Sequence, residues 1–198
     1  MKQEKYISMS ITYIALLEWI TFVTALAYVY FAAQKKLITW LFALISVGLT
    51  FYLDVIGKLY IESGLQVFYF AMAIYGWINW KKAASSDLPI IRWSYKVHVI
   101  NIFGSALLSC AVGYLFDTFT AQSTPYLDAF TTCFSLAATF MVVKRIIENW
   151  LYWIFINVGM VVLYMNNGYE ILAAQYGIFV VLALYGYWSW NKSFKLQA

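Results

Sequence analysis

Long apolar stretches alternate along this chain with short polar breaks. Seven stretches, at about 12–33, 38–56, 60–80, 95–116, 125–143, 149–166 and 169–190, each approach the roughly 20 residues that a helix needs to cross a bilayer. The breaks between them, Gln34-Lys35-Lys36, Gly57-Lys58, Lys81 to Pro89, Asp117 to Pro125, Lys144-Arg145 and Asn166-Asn167-Gly168, hold the charges, prolines and glycines that end helices. The pattern predicts an all-α integral membrane protein of seven transmembrane helices that fills residues 1–198 as a single membrane domain. Lys2 and Lys5 followed by an apolar run outline a signal peptide. Glu18 interrupts that run, and cleavage would leave one repeat short of a helix, so the first span is expected to be retained.

The pattern is also duplicated. Tyr75-Gly76-Trp77-Ile78-Asn79-Trp80 closes the third stretch, and Tyr185-Gly186-Tyr187-Trp188-Ser189-Trp190 closes the seventh, 110 residues later. Both clusters lead into lysine, as a helix does on leaving the bilayer core through the interface. A second echo sets Ser46-Val47-Gly48 with Gly57 against Asn157-Val158-Gly159 with Gly168, at an offset one residue larger. Seven helices with this offset divide as three, one and three: repeat one at about 12–80, a linker helix at about 95–116 and repeat two at about 125–190. One connecting helix gives both triplets the same orientation, so the repeats are parallel. Internal repeats of this kind point to transport, with the substrate between the halves.

Composition strengthens the membrane assignment: 64% of residues are hydrophobic and 11% charged, against roughly 25% charged in a soluble domain. The net charge of +4 says less than its placement. Lys35, Lys36, Lys81, Lys82, Arg92, Lys96, Lys144, Arg145, Lys192 and Lys195 fall on one side of the predicted bundle, and Lys2, Lys5 and Lys58 on the other. That asymmetry places the C-terminus in the cytoplasm and the N-terminus outside, and it makes the basic residues reporters of topology rather than a nucleic-acid surface. Cys110 and Cys133 lie inside predicted spans and read as packing thiols.

Three stripes carry the candidate chemistry. On a helix turning about 100° per residue, Gln66, Phe70, Ala73, Trp77 and Trp80 share a face, and Tyr176, Val180, Ala183, Tyr187 and Trp190 repeat the spacing in register. Trp150, Trp153, Asn157 and Tyr164 form the third. Trp80 and Trp190, at the span ends, read as interfacial anchors. Gln66 and Asn157 are carboxamides well inside spans, where an unpaired polar group is costly, so they point to a cavity or a neighbouring helix. Glu18 is the one acid expected inside the membrane. Asp54, Glu62, Glu148 and Glu170 read as solvated caps, and His98, the single histidine, as an ordinary residue at a helix mouth. No metal-ligand spacing, phosphate-binding glycine loop or nucleophile with a base is present in the sequence, so no cofactor, no metal and no enzymatic activity are expected. Aromatic faces, carboxamides and one acid suit a flat cationic ring, each cation–π contact contributing roughly 0.5–2 kcal/mol.

At these residues the chain resembles the PnuC-type vitamin transporter family. The likeness is densest in Gln66-Val67-Phe68-Tyr69-Phe70 through Tyr75-Gly76-Trp77 and in Lys144-Arg145 through Glu148-Asn149-Trp150, Trp153 and Asn157, and it continues through Tyr176, Gly186 and Trp190. The resemblance implies a three-plus-one-plus-three bundle similar to the sugar facilitators. It further implies facilitated diffusion of a vitamin precursor by alternating access, trapping by a cytoplasmic kinase, a bacterial inner-membrane location and a homo-oligomer, trimer or dimer. Members carry nicotinamide riboside, thiamine or riboflavin. Where nicotinamide riboside carriers place asparagine, this chain has Ala73 and Tyr185. Two lost carboxamides and a gained phenol favour stacking over ribose hydrogen bonding, so the thiamine-transporting branch is expected, with nicotinamide riboside or riboflavin as the alternative. The rival class is the substrate-binding subunit of an ATP-driven importer.

Overall fold

The computed structural model describes residues 2–58, 60–84, 89–120, 124–166 and 168–197, with side chains described from Thr12 onward except at 60, 61, 83, 84 and 197. Lys2, Lys5, Asn167 and parts of the predicted loops at 85–88 and 121–123 lie outside the described side chains or residues. Seven helices run through the described chain: α1 (Lys2–Ala33), α2 (Thr39–Ile56), α3 (Tyr60–Ala84), α4 (Tyr95–Phe119), α5 (Pro125–Val143), α6 (Asn149–Asn166) and α7 (Glu170–Gln197). Interior boundaries follow the polar breaks. α3 and α7 continue past their aromatic clusters through Lys81-Lys82 and Lys192 to Lys195, because nothing there opposes the helix once it has left the apolar region.

Among the described residues, five helices are long and apolar enough to cross a membrane: Thr12–Ala33, Thr39–Ile56, Tyr95–Phe119, Pro125–Val143 and Glu170–Leu196. α3 and α6 stand apart from these five, since Trp, Tyr, Gln and Asn replace aliphatic residues along them.

The chain divides into two compact units, residues 1–87 and 88–198. In the first, α2 packs on α1 and α3; in the second, α5 packs on α4 and α6, and α6 on α7. The two units contain the same turn, bond for bond. After α1, Lys35 takes φ 61°, its N–H bonds Ala32 O at 2.9 Å and Lys36 N bonds Phe31 O at 3.0 Å. After α5, Arg145 takes φ 57°, with Arg145 N to Val142 O at 3.0 Å and Ile146 N to Met141 O at 2.9 Å. The six-to-one bond across a left-handed residue is the Schellman ending of a helix. Lys58 (φ 60°) and Gly168 (φ 76°) form another such pair. Both pairs are 110 residues apart, which corrects the larger offset suggested by Gly48 and Gly159: Gly57 has an ordinary helical φ of −75°, so Lys58 is the counterpart of Gly168.

Each unit closes with a tryptophan seated on a glycine. Trp40 of α2 is 1% exposed, meets Trp80 edge to face at 5.2 Å and lies where a Cβ on Gly76 would stand. Trp150 of α6 is 2% exposed, meets Trp190 at 5.4 Å and an interplanar angle of 89°, and would sit 2.6 Å from a Cβ on Gly186. Ala73 and Ala183, one turn before each glycine, are also buried. Small residues thus open a groove on α3 and α7 that admits an indole from the preceding helix. Trp80 and Trp190 are buried as the second half of this clamp rather than placed as interfacial anchors.

The clamp predicts an asymmetric glycine response. Gly186→Ala overpacks the Trp150 ring and should cost about 1–3 kcal/mol, while Gly48→Ala, which meets nothing within 4 Å, should not lower stability. Thermal unfolding in detergent, followed by tryptophan fluorescence, measures both.

Candidate functional site

In the first unit, the site-bearing contact is between the outer turns of α2 and α3. The Gln66 carboxamide lies close enough to the Asp54 carboxyl to act on it. Beside the pair a cleft of about 240 Å³ is lined by Val47, Gly48, Phe51, Gln66, Val67 and Phe70. Asp54 Oδ2 is buried and has no hydrogen-bond partner. Asp54 is therefore half-buried and paired, not a solvated cap, because α3 folds back over the last turn of α2. Only its closeness to Gln66 across the Gly57-Lys58 turn could have signalled this in the sequence. Trp77 is half-buried on the same helix.

Glu18 is exposed on α1, not a buried acid. The packing face of α1 runs through Leu17, Thr24 and Ala32, and a residue one step from Leu17 turns about 100° away from it.

In the second unit, α6 and α7 hold six of the expected residues. Asn157 is 7% exposed, with no hydrogen-bond partner among the described residues, and half-buried Trp153 lies one turn before it on the same face. Trp150 shares that stripe but is consumed by the clamp on Gly186. Near the other end of α6, Tyr164 stacks on Tyr176 of α7 with ring centres 5.4 Å apart and an interplanar angle of 22°. Tyr187 is half-buried, and Tyr185 is exposed, stacked on Trp188 at 6.1 Å. The structure brings Trp150 to Trp190 and Tyr176 to Tyr164, and it sets Trp153 beside Asn157. It separates Tyr185 from these by facing it away from the Ala183-Gly186-Trp190 side of α7.

The 110-residue correspondence shows how the units differ. Trp153 and Asn157 correspond to Ala43 and Val47, and Tyr176 to Gln66. The clamps are duplicated; the polar faces are not. Trp40 is the residue that sequence reasoning missed here, although it stands 110 residues before Trp150.

A family model described as nicotinamide mononucleotide transporter matches residues 15–192. The chain belongs to this family. Among relatives, the nicotinamide riboside transporter PnuC of Escherichia coli (strain K12) is 26% identical over 82% of this chain and 79% of its own length. The riboflavin/roseoflavin transporter RibM of Streptomyces davaonensis is 27% identical over 79% and 76%. A crystal structure of the vitamin B3 transporter PnuC superposes with a TM-score of 0.75 at 22% identity, covering 99% of this chain and 89% of that one. This PnuC-type chain is accordingly a multi-pass membrane protein with the helical fold of that transporter.

Within the PnuC-type fold, the two tryptophans of the α6 stripe should separate on mutation. Trp150→Ala empties the clamp and should cost about 3–5 kcal/mol, whereas Trp153→Ala, half-exposed and outside the clamp, should leave the unfolding midpoint close to wild type. Parallel thermal melts of the purified variants check this.

Proposed function

We infer that this chain is a facilitative transporter of a vitamin precursor with a flat cationic ring, taken up by alternating access between two parallel three-helix repeats joined by α4. The observation that carries this is Asn157, 7% exposed, one turn from half-buried Trp153 on the same face of α6. A carboxamide inside an apolar helix gains from a ligand that hydrogen-bonds it, and an indole beside it offers a face to a cationic ring. Gln66, Trp77, Tyr176 and Tyr187 are assigned to the same substrate path, with Trp150 as its support and Glu18 as a peripheral acid. The ten basic residues on one side favour a cytoplasmic C-terminus in a bacterial inner membrane.

Nicotinamide riboside is the first candidate substrate. Relatives that align over most of this chain carry it in their names, and an asparagine suits its carboxamide. Thiamine is the second, and its case rests on Ala73 and Tyr185 alone. The structure weakens that case in part, since Ala73 is buried in helix packing and Tyr185 faces away from the α7 groove.

Titration calorimetry of the purified protein with nicotinamide riboside, thiamine and riboflavin tests the assignment. Nicotinamide riboside should bind tightest. Trp153→Ala and Asn157→Ala should each weaken it more than about tenfold, the loss of one desolvated contact, with helical circular dichroism unchanged. Unchanged affinity in well-folded variants would remove both residues from the site, and a preference for thiamine would restore the weight of Ala73 and Tyr185.

A further inference from the structure

The second unit contains a polar cluster that the substrate path does not use. It joins the start of α4 to the start of α6. His98 Nδ1 lies 3.2 Å from the Tyr152 hydroxyl, and Asn101 Nδ2 donates to the same oxygen at 3.1 Å. On the other side of the ring, His98 Nε2 is 3.7 Å from Glu148 Oε2, which also accepts the Trp93 backbone N–H at 3.3 Å. The Trp93 and Tyr152 rings flank the imidazole at 5.6 and 5.9 Å. Glu148 is thus no solvated cap, and His98 no ordinary mouth residue. The segment before α4 is tied down as well, by Ile91 N to Arg145 O, Ile147 N to Ile91 O and Arg92 Nη2 to Asn191 Oδ1.

The distances in this cluster are satisfied when the tyrosine donates to the imidazole. Tyr152 oxygen already accepts from Asn101, so its own proton is free to go to His98 Nδ1. That leaves the imidazole proton on Nε2, aimed at the Glu148 carboxylate. Asn101, Tyr152 and His98 then form a donor-to-acceptor series, with the Glu148 carboxylate 3.7 Å from Nε2, at ion-pair rather than hydrogen-bond distance.

The duplicated scaffold shows that this series is an addition. The residues 110 positions before Glu148 and Tyr152 are Ile38 and Phe42. Ile38 is exposed, and Phe42 stacks on Phe31 at 5.4 Å. The first unit holds the same turn with apolar contacts; the second replaces both positions with polar groups where α4 packs. Tyr152 is also the immediate neighbour of Trp153, and Asn157 follows little more than one turn later.

We propose that Glu148, His98, Tyr152 and Asn101 are positioning residues, a relay that fixes the first turn of α6 against α4 and thereby sets the direction of Trp153 and Asn157 for substrate. This rests on the assignment of those two residues to the substrate path. The relay acts through α6, touching no ligand itself.

The chain's single histidine makes the relay directly observable. Protein grown with ¹⁵N-histidine should show the Nε2–H tautomer above the imidazole titration range, and Tyr152→Phe should convert it to a mixture. Tyr152→Phe and His98→Gln should each weaken nicotinamide riboside binding by about tenfold, while the thermal unfolding midpoint stays close to wild type. Glu148→Gln keeps an acceptor and should retain most of the affinity that Glu148→Ala loses. An Nδ1–H tautomer in the wild type, a tautomer indifferent to Tyr152→Phe, or full affinity in both variants would overturn the relay. If wild type binds no vitamin, the functional assignment fails separately. The relay is then decided by the ¹⁵N indole signal of Trp153, which must move in His98→Gln for positioning to stand.

Discussion

An indole seated on a glycine is the contact on which the rest of this protein depends. Trp40 and Trp150 can be buried only because α3 and α7 carry no side chain at Gly76 and Gly186. Once seated, each fixes the separation and rotation of its helix pair. In a bilayer, where lipid competes equally for apolar side chains, close approach at small residues and tight packing are what hold helices together. Here the edge-to-face partners Trp80 and Trp190 add to that packing. The matching Schellman turns at Lys35 and Arg145 deliver each tryptophan to its groove at the same point in the chain.

With the scaffold fixed twice over, the two units are free to differ elsewhere. Ala43 and Val47 give way to Trp153 and Asn157, Gln66 to Tyr176, and Ile38 and Phe42 to Glu148 and Tyr152. The aromatic and carboxamide groups of α6 thus have no counterpart in the first unit, whose polar pair is Gln66 and Asp54.

Much of this was legible before any coordinates. Helix positions followed from apolar runs broken by Lys35-Lys36, Gly57-Lys58 and Lys144-Arg145, because charge and left-handed backbone both exclude helix continuation in lipid. The duplication showed in the Tyr-Gly endings of α3 and α7. What stayed hidden was set by rotation about the helix axis. Periodicity groups Trp150, Trp153 and Asn157 on one stripe but does not say that Trp150 is spent on Gly186. It grouped Trp80 with the interface although Trp40, a helix away, buries it. Asp54, Glu148 and His98 were misjudged for the same reason: the cost of a polar group depends on a partner that sequence spacing does not name.

Transport by this chain alone is the central claim, and counterflow tests it most directly. Purified protein is placed in liposomes loaded with unlabelled nicotinamide riboside, and labelled substrate is supplied outside without ATP or any second protein. A facilitative transporter exchanges the label rapidly, and Asn157→Ala slows that exchange while unlabelled substrate saturates it. Exchange that appears only with ATP and a partner ATPase, or tight binding with no exchange, would contradict it and make the chain a capture subunit.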